Sequence, residues 1–298
     1  MPERAAVTAD LAALAAGLTT VTLWGSAFVG IRVAGQALSP GSIALGRLAV
    51  SCAALTAVAL VRREPLPPRC ALLPIAVFGL LFLGLYSVAL NAAERHVDAG
   101  TAAMIVNTGP LLIALLAGVF LHEGFPGGLV LGCAIAFAGS VLIGLATRGA
   151  GGSSGLGLAL LVLATLAYAS AVVVQKTALA RATAFQVTWL GCAAATLACL
   201  PFAPMLAAQA ASAGPRELAW IAYLGLMPTA LGFATWSFAL RRASAGRVAS
   251  LNYLIPVVAV ALGWSYLGER PPALALGGGA LCLSGVYVAR RRARTGAG

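Results

Sequence analysis

The side chains able to do chemistry are few in this chain and stand singly. It has eight acids, two histidines and six cysteines. His96 and His122 lie beside separate apolar stretches, no cysteine pair has metal-ligand spacing, and no Asp or Glu falls mid-way through an apolar stretch. Catalysis by paired carboxylates or by a nucleophile with its base therefore has no candidate residues, and neither does a bound metal or cofactor. What remains is recognition chemistry. Trp24 and Tyr168 offer aromatic faces for stacking or for a cation–π contact to an amino group. Asn107, Asn252 and Tyr253 offer amide and hydroxyl groups that both donate and accept. Arg47 alone carries a charge clearly inside an apolar stretch. It lies about 6 residues, or roughly 9 Å along a helix, from that stretch's nearer end. Arg47 suits either snorkelling to the surface or neutralising a solute carboxylate. Tyr86, Asn91 and Gln175 are weaker members of this set. Trp236 falls near a helix end and fits an interfacial belt equally well, and Trp189, Trp220 and Trp264 fit belt or packing roles.

The elements that must position these groups follow from composition. Only 9% of the 298 residues are charged and 61% are hydrophobic, against roughly 25% charged in a soluble domain. Apolar runs cover Leu11–Ile31, Gly41–Val61, Ala71–Ala92, Ala99–Leu121, Gly127–Leu145, Gly157–Lys176, Phe185–Met205, Leu218–Leu240, Ala245–Leu267 and Ala273–Ala289. Each has about the length of one membrane-spanning helix. The runs are continuous rather than alternating, which selects helices over barrel strands. The fold class is thus all-α integral membrane with ten transmembrane helices. The first run is too long for the core of a cleavable leader.

The net charge of +11 is spread over separate loops, which argues against a nucleic-acid surface. Arg62, Arg63, Arg69, Lys176, Arg181, Arg241, Arg242, Arg247 and Arg290–Arg292 all fall on the side that carries the termini, and far fewer basic residues fall opposite. The positive-inside rule then places both termini in the cytoplasm.

The chain repeats itself. Shifted by 146 residues, Ala99, Gly100, Ala103, Pro110, Glu123, Pro126, Gly132 and Gly139 match Ala245, Gly246, Ala249, Pro256, Glu269, Pro272, Gly278 and Gly285. The same register pairs Gly79 with Gly225 and Asn107 with Tyr253. A shift of 144 pairs Trp24 with Tyr168, Arg32 with Lys176 and Arg47 with Gly191. The expected units are a first five-helix repeat over 1–147, a Gly/Ser linker over 148–156 and a second repeat over 157–298. An odd number of spans per repeat inverts one repeat relative to the other, the signature of secondary transporters with a mid-membrane path between the halves. Pro110 and Pro256 then become paired hinge candidates, each freeing the carbonyl four residues earlier, at Val106 and Asn252. Glu123 and Glu269 close equivalent spans on opposite sides, which suits a helix-end role or a pair of gate latches.

Leu23-Trp24-Gly25-Ser26 with Phe28 and Arg32, Ser39-Pro40 followed by Arg47, Pro110 with Glu123, and Pro256 with Gly268-Glu269 resemble the EamA type of the drug/metabolite transporter superfamily. The sequence is also similar to the YddG-type exporters of aromatic and other neutral amino acids. The resemblance implies a cavity formed by helices 1–4 and 6–9, with helices 5 and 10 packed outside. It implies a small-molecule solute, most often an amino acid, carried out across the inner membrane. The alternatives are a carrier of another amphipathic metabolite, such as a nucleoside or amine, and an intramembrane enzyme acting on lipid headgroups.

Overall fold

A computed structural model describes residues 2–93, 96, 105–146, 154–267 and 272–291. The side chains of 2–10, Phe28, Arg32, Val260, Gly263, Trp264, Tyr266, Leu267, Arg290 and Arg291 are left aside. Glu269 and the 147–153 stretch of the expected linker lie outside the described residues.

The helices are α1 (Pro2–Ala34), α2 (Pro40–Arg62), α3 (Arg69–Ala93), α4 (Gly109–Phe120), α5 (Gly127–Ala146), α6 (Gly155–Leu179), α7 (Ala184–Ser212), α8 (Pro215–Arg242), α9 (245–267) and α10 (Ala273–Arg291). Seven of them are long and apolar enough to cross a membrane, and shorter apolar helices at Gly109–Phe120, Ala245–Ala259 and Ala273–Ala289 complete the ten. Local chemistry sets their ends. Ser39 caps α2 by accepting the Ser42 N–H, with Pro40 in the first turn. Ser154 caps α6 at 3.1 Å from the Gly157 nitrogen. Thr183 and Gln186 form a reciprocal capping box at the start of α7. Left-handed residues at Arg63, His122 and Gly124 turn the chain after α2 and α4.

Two departures from regular helix recur at equivalent positions. α3 is π-helical over Gly79–Tyr86 and α8 over Gly225–Leu231, and the two segments begin on repeat mates. α9 tightens to a 3-10 turn over Ser250–Leu254 before restarting at Ile255, and α4 restarts at Gly109 after a turn at 107–108. Each restart places its proline in the second position, where a missing N–H breaks no hydrogen bond.

The repeats interlock rather than sit side by side. α1 packs on α8 and α9, and α6 packs on α3 and α4. α2 lies along the π segment of α8, and α7 along that of α3. α5 and α10 pair through small residues. A Cβ on Gly132 would meet Ala289 and one on Gly278 would meet the Gly139 carbonyl, at 2.3 Å and 2.6 Å. In a bilayer such backbone approach substitutes for the hydrophobic effect.

Candidate functional site

An aromatic group joins both repeats. Phe82, on the π segment of α3, is its hub, with ring centroids 5.8 Å from Trp24, 5.5 Å from Tyr86, 4.8 Å from Tyr168 and 4.9 Å from Phe233. Trp24 also lies 5.0 Å from Phe233 and 5.3 Å from Trp236. Trp24, Tyr86 and Tyr168, all expected at the site, are thus brought together. Trp24 and Tyr86 keep part of their surface exposed, while Phe82 and Tyr168 are buried. Phe78, Phe82 and Phe233 escape a reading of the sequence because phenylalanine in an apolar run carries no polar signal. Trp236 is fully buried rather than interfacial. Its indole N–H donates to Gln175 at 2.9 Å, and the Gln175 amide donates to Ser237, also at 2.9 Å.

Irregular backbone fixes the rings. The Trp24 indole donates to the carbonyl of Pro228, within the π segment of α8, at 3.0 Å. Tyr168, the repeat mate of Trp24, lies on Phe82, the repeat mate of Pro228, so the two contacts are related by the inversion. Tyr168 is also where both proline breaks converge. A Cβ on Gly109 would fall 2.5 Å from its ring, and its hydroxyl accepts the Asn252 side-chain N–H. Pro110 is buried one residue after Gly109. The expected free carbonyl at Asn252 is instead taken by the Ile255 N–H, because the 3-10 turn shortens the bonding to three residues.

The polar candidates separate. Arg47 donates from Nη2 to the Ser87 hydroxyl at 3.2 Å, while its buried Nε has no hydrogen-bond partner. Ser87 follows Tyr86 directly, so the guanidinium is tied to the residue next to one of the rings. The amide oxygen of Asn252 and the hydroxyl of Tyr253 are likewise buried without partners. Tyr253 belongs to a second apolar cluster with Cys133, Leu251 and Val286, facing α5 and α10. Asn107 is buried at the α4 break. Asn91 donates to the Pro40 carbonyl at 3.3 Å, and so ties α3 to the first turn of α2. Trp189 donates to Thr56 at 2.9 Å, a packing role, and Trp220 packs on Tyr223. No three His, Cys, Asp or Glu side chains among the described residues lie together as metal ligands.

At the end of the bundle that carries Arg62, Arg181 and Arg241, Glu123 takes the Ala245 N–H on both carboxylate oxygens, at 2.7 Å and 3.0 Å. Lys176 lies 3.8 Å from the same carboxylate and donates to the carbonyls of Leu240 and Ala243. The expected helix-end role of Glu123 is therefore filled on a helix of the other repeat.

The model of the EamA-like transporter family matches residues 11–145 and again 155–291. A probable terminal-alkyne amino-acid exporter of Streptantibioticus cattleyicolor is 37% identical over 92% of this chain and 91% of its own length. The uncharacterized transporter YdfC of Bacillus subtilis is 30% identical over 89% of this chain and 87% of its own. The uncharacterized inner membrane transporter YedA of Escherichia coli is 28% identical over 83% and 80%. A crystal structure superposes with a TM-score of 0.79 over 96% of this chain and 99% of that one, at 22% identity, which bears on the fold alone. With both halves of the sequence matched, a ten-helix architecture in two inverted repeats, and close relatives named as transporters, the chain belongs to the EamA-like transporter family of the drug/metabolite transporter superfamily.

Proposed function

We propose that this transporter exports small neutral amino acids, aromatic ones included, across the inner membrane by alternating access, with both termini cytoplasmic. The observation that carries the reading is the position of Arg47, whose Nε has an unused N–H, on Ser87, the residue next to Tyr86 of the aromatic group. A guanidinium binds a carboxylate through charge-assisted bonds. The neighbouring ring faces receive an apolar side chain and can attract an ammonium. Trp24, Tyr86 and Tyr168 supply those faces, and Asn107 and Asn252 supply hydrogen-bonding groups along the α4 and α9 breaks, while Tyr253 faces the α5–α10 cluster. Pro110 and Pro256 are the pivots. The amino-acid exporter of S. cattleyicolor supports the solute class, and the arginines and Lys176 at one end of the bundle support the orientation.

Ring faces also suit a nucleobase, which keeps a nucleoside carrier as the second reading. Proteoliposomes loaded with a mixture of neutral amino acids and nucleosides, assayed by counterflow, separate the two. Flux of the amino acids supports the proposal. Flux of nucleosides with flat amino-acid signals replaces it with the second reading.

A further inference from the structure

Glu123 is the member of its cluster that comes from the first repeat; Lys176, Leu240, Ala243 and Ala245 all belong to the second. The carboxylate is delivered by a left-handed turn, His122 at φ 53° and Gly124 at φ 70°, which points the tip of α4 across the repeat boundary. There it meets groups that regular helix leaves unsatisfied: an N–H at the start of α9 and, through Lys176, the carbonyls that end α8. α9 lies flush against α4 at this point, since a Cβ on Gly246 would come within 3.3 Å of Ala114. One ion pair thus ties the ends of four helices, α4, α6, α8 and α9, at one membrane face.

This pair crosses the boundary along which the halves must part, and its side chains keep 23% (Lys176) and 16% (Glu123) of their surface exposed. Water reaches this pair in part, so salt weakens it, though less than it would a fully exposed pair. The α4 arm ending at Phe120 is joined to the chain before it through the turn at 107–108, beside Pro110.

We propose that Glu123 and Lys176 form the latch that holds this end of the transporter shut, and that parting them is the step that opens it. The inference rests on the alternating-access reading but not on the identity of the solute. The test uses full-length protein in lipid nanodiscs without any solute. Spin labels replace Phe125 and Arg181, one exposed residue of each repeat at this end, after the accessible Cys52 and Cys70 have been changed to Ala. Pulsed dipolar spectroscopy then reads the separation of the repeats. Glu123→Gln keeps an oxygen for the Ala245 N–H and removes the charge; Lys176→Met removes its partner. Each raises the fraction at longer distance about three- to fivefold, as loss of a partly exposed ion pair does. Raised salt moves the unsubstituted latch in the same direction, a measurement that needs no latch variant to fold, and it has no effect in Glu123→Gln. Arg69→Gln, which removes an exposed charge at the same end outside the latch, leaves the distances unchanged. Distances unmoved by both Glu123→Gln and salt overturn the latch, as does an equal shift in Arg69→Gln. Neither outcome depends on which solute is carried, so failure of the latch and failure of the amino-acid reading stay distinguishable.

Discussion

Gly79 lies against the carbonyl of Gly191, so closely that a Cβ added to it would fall 2.2 Å from that oxygen. The relationship recurs through the inversion. A Cβ on Gly225, the mate of Gly79, would fall 2.8 Å from the carbonyl oxygen of Arg47, the mate of Gly191. These contacts seat each π segment on the second helix of the opposite repeat, and they hold the backbone that carries Phe82 and Pro228. Because the obstructing atoms are backbone, Gly79→Ala destabilises the fold by about 1–3 kcal/mol. A lowered Tm in detergent checks this. Gly127→Ala, where nothing lies within 4 Å of the added carbon, serves as the unaffected comparison.

Trp24 is held by a hydrogen bond to a carbonyl inside a π segment. Trp24→Phe keeps a ring among Phe82, Phe233 and Trp236 but leaves the Pro228 oxygen without the indole donor. The expected loss is about 1–3 kcal/mol, with a slower counterflow rate. Unchanged stability and flux in Trp24→Phe show that the bond has no part in holding the site.

Pro110 and Pro256 open the restarted parts of α4 and α9. Replacing both with Ala restores the N–H groups and lets each helix run through its break. The double variant inserts and purifies normally but loses transport. Full transport by that variant removes the hinge.

Much of this architecture was legible in the residues. Ten apolar runs, the 146-residue register and the matched prolines locate the helices, the inversion and the breaks, because length, hydrophobicity and missing N–H groups act locally. Trp24 and Tyr168 stand out because polar-tipped rings are unusual in mid-span, and Tyr86 is a weaker member of the set. The π segments left no such mark: bonding one residue further along is a choice of backbone that Gly79–Tyr86 and Gly225–Leu231 do not spell. Phe82 and Phe233 read as ordinary lipid-facing or packed residues until helices from both repeats were placed around them. The partners of Glu123 were hidden for the same reason, since Lys176 and Ala245 are 53 and 122 residues further along the chain.

Arg47 separates the amino-acid reading from a purely apolar one. Losing a charge-assisted contact is worth about 1.5–3 kcal/mol, so Arg47→Ala raises the KM for an amino acid roughly 10- to 150-fold. Arg47→Lys recovers part of this, keeping the charge without the fork. Wild-type KM in Arg47→Ala assigns Arg47 to Ser87 and the helix interior instead.

The most direct measurement compares a neutral apolar amino acid with its own carboxamide in proteoliposome counterflow. The side chain is the same in both, so the aromatic group treats them alike, and only the anionic group offered to Arg47 differs. The account predicts rapid counterflow of the amino acid and little or none of the amide. Equal flux of the two, or no flux of any amino acid, would contradict it.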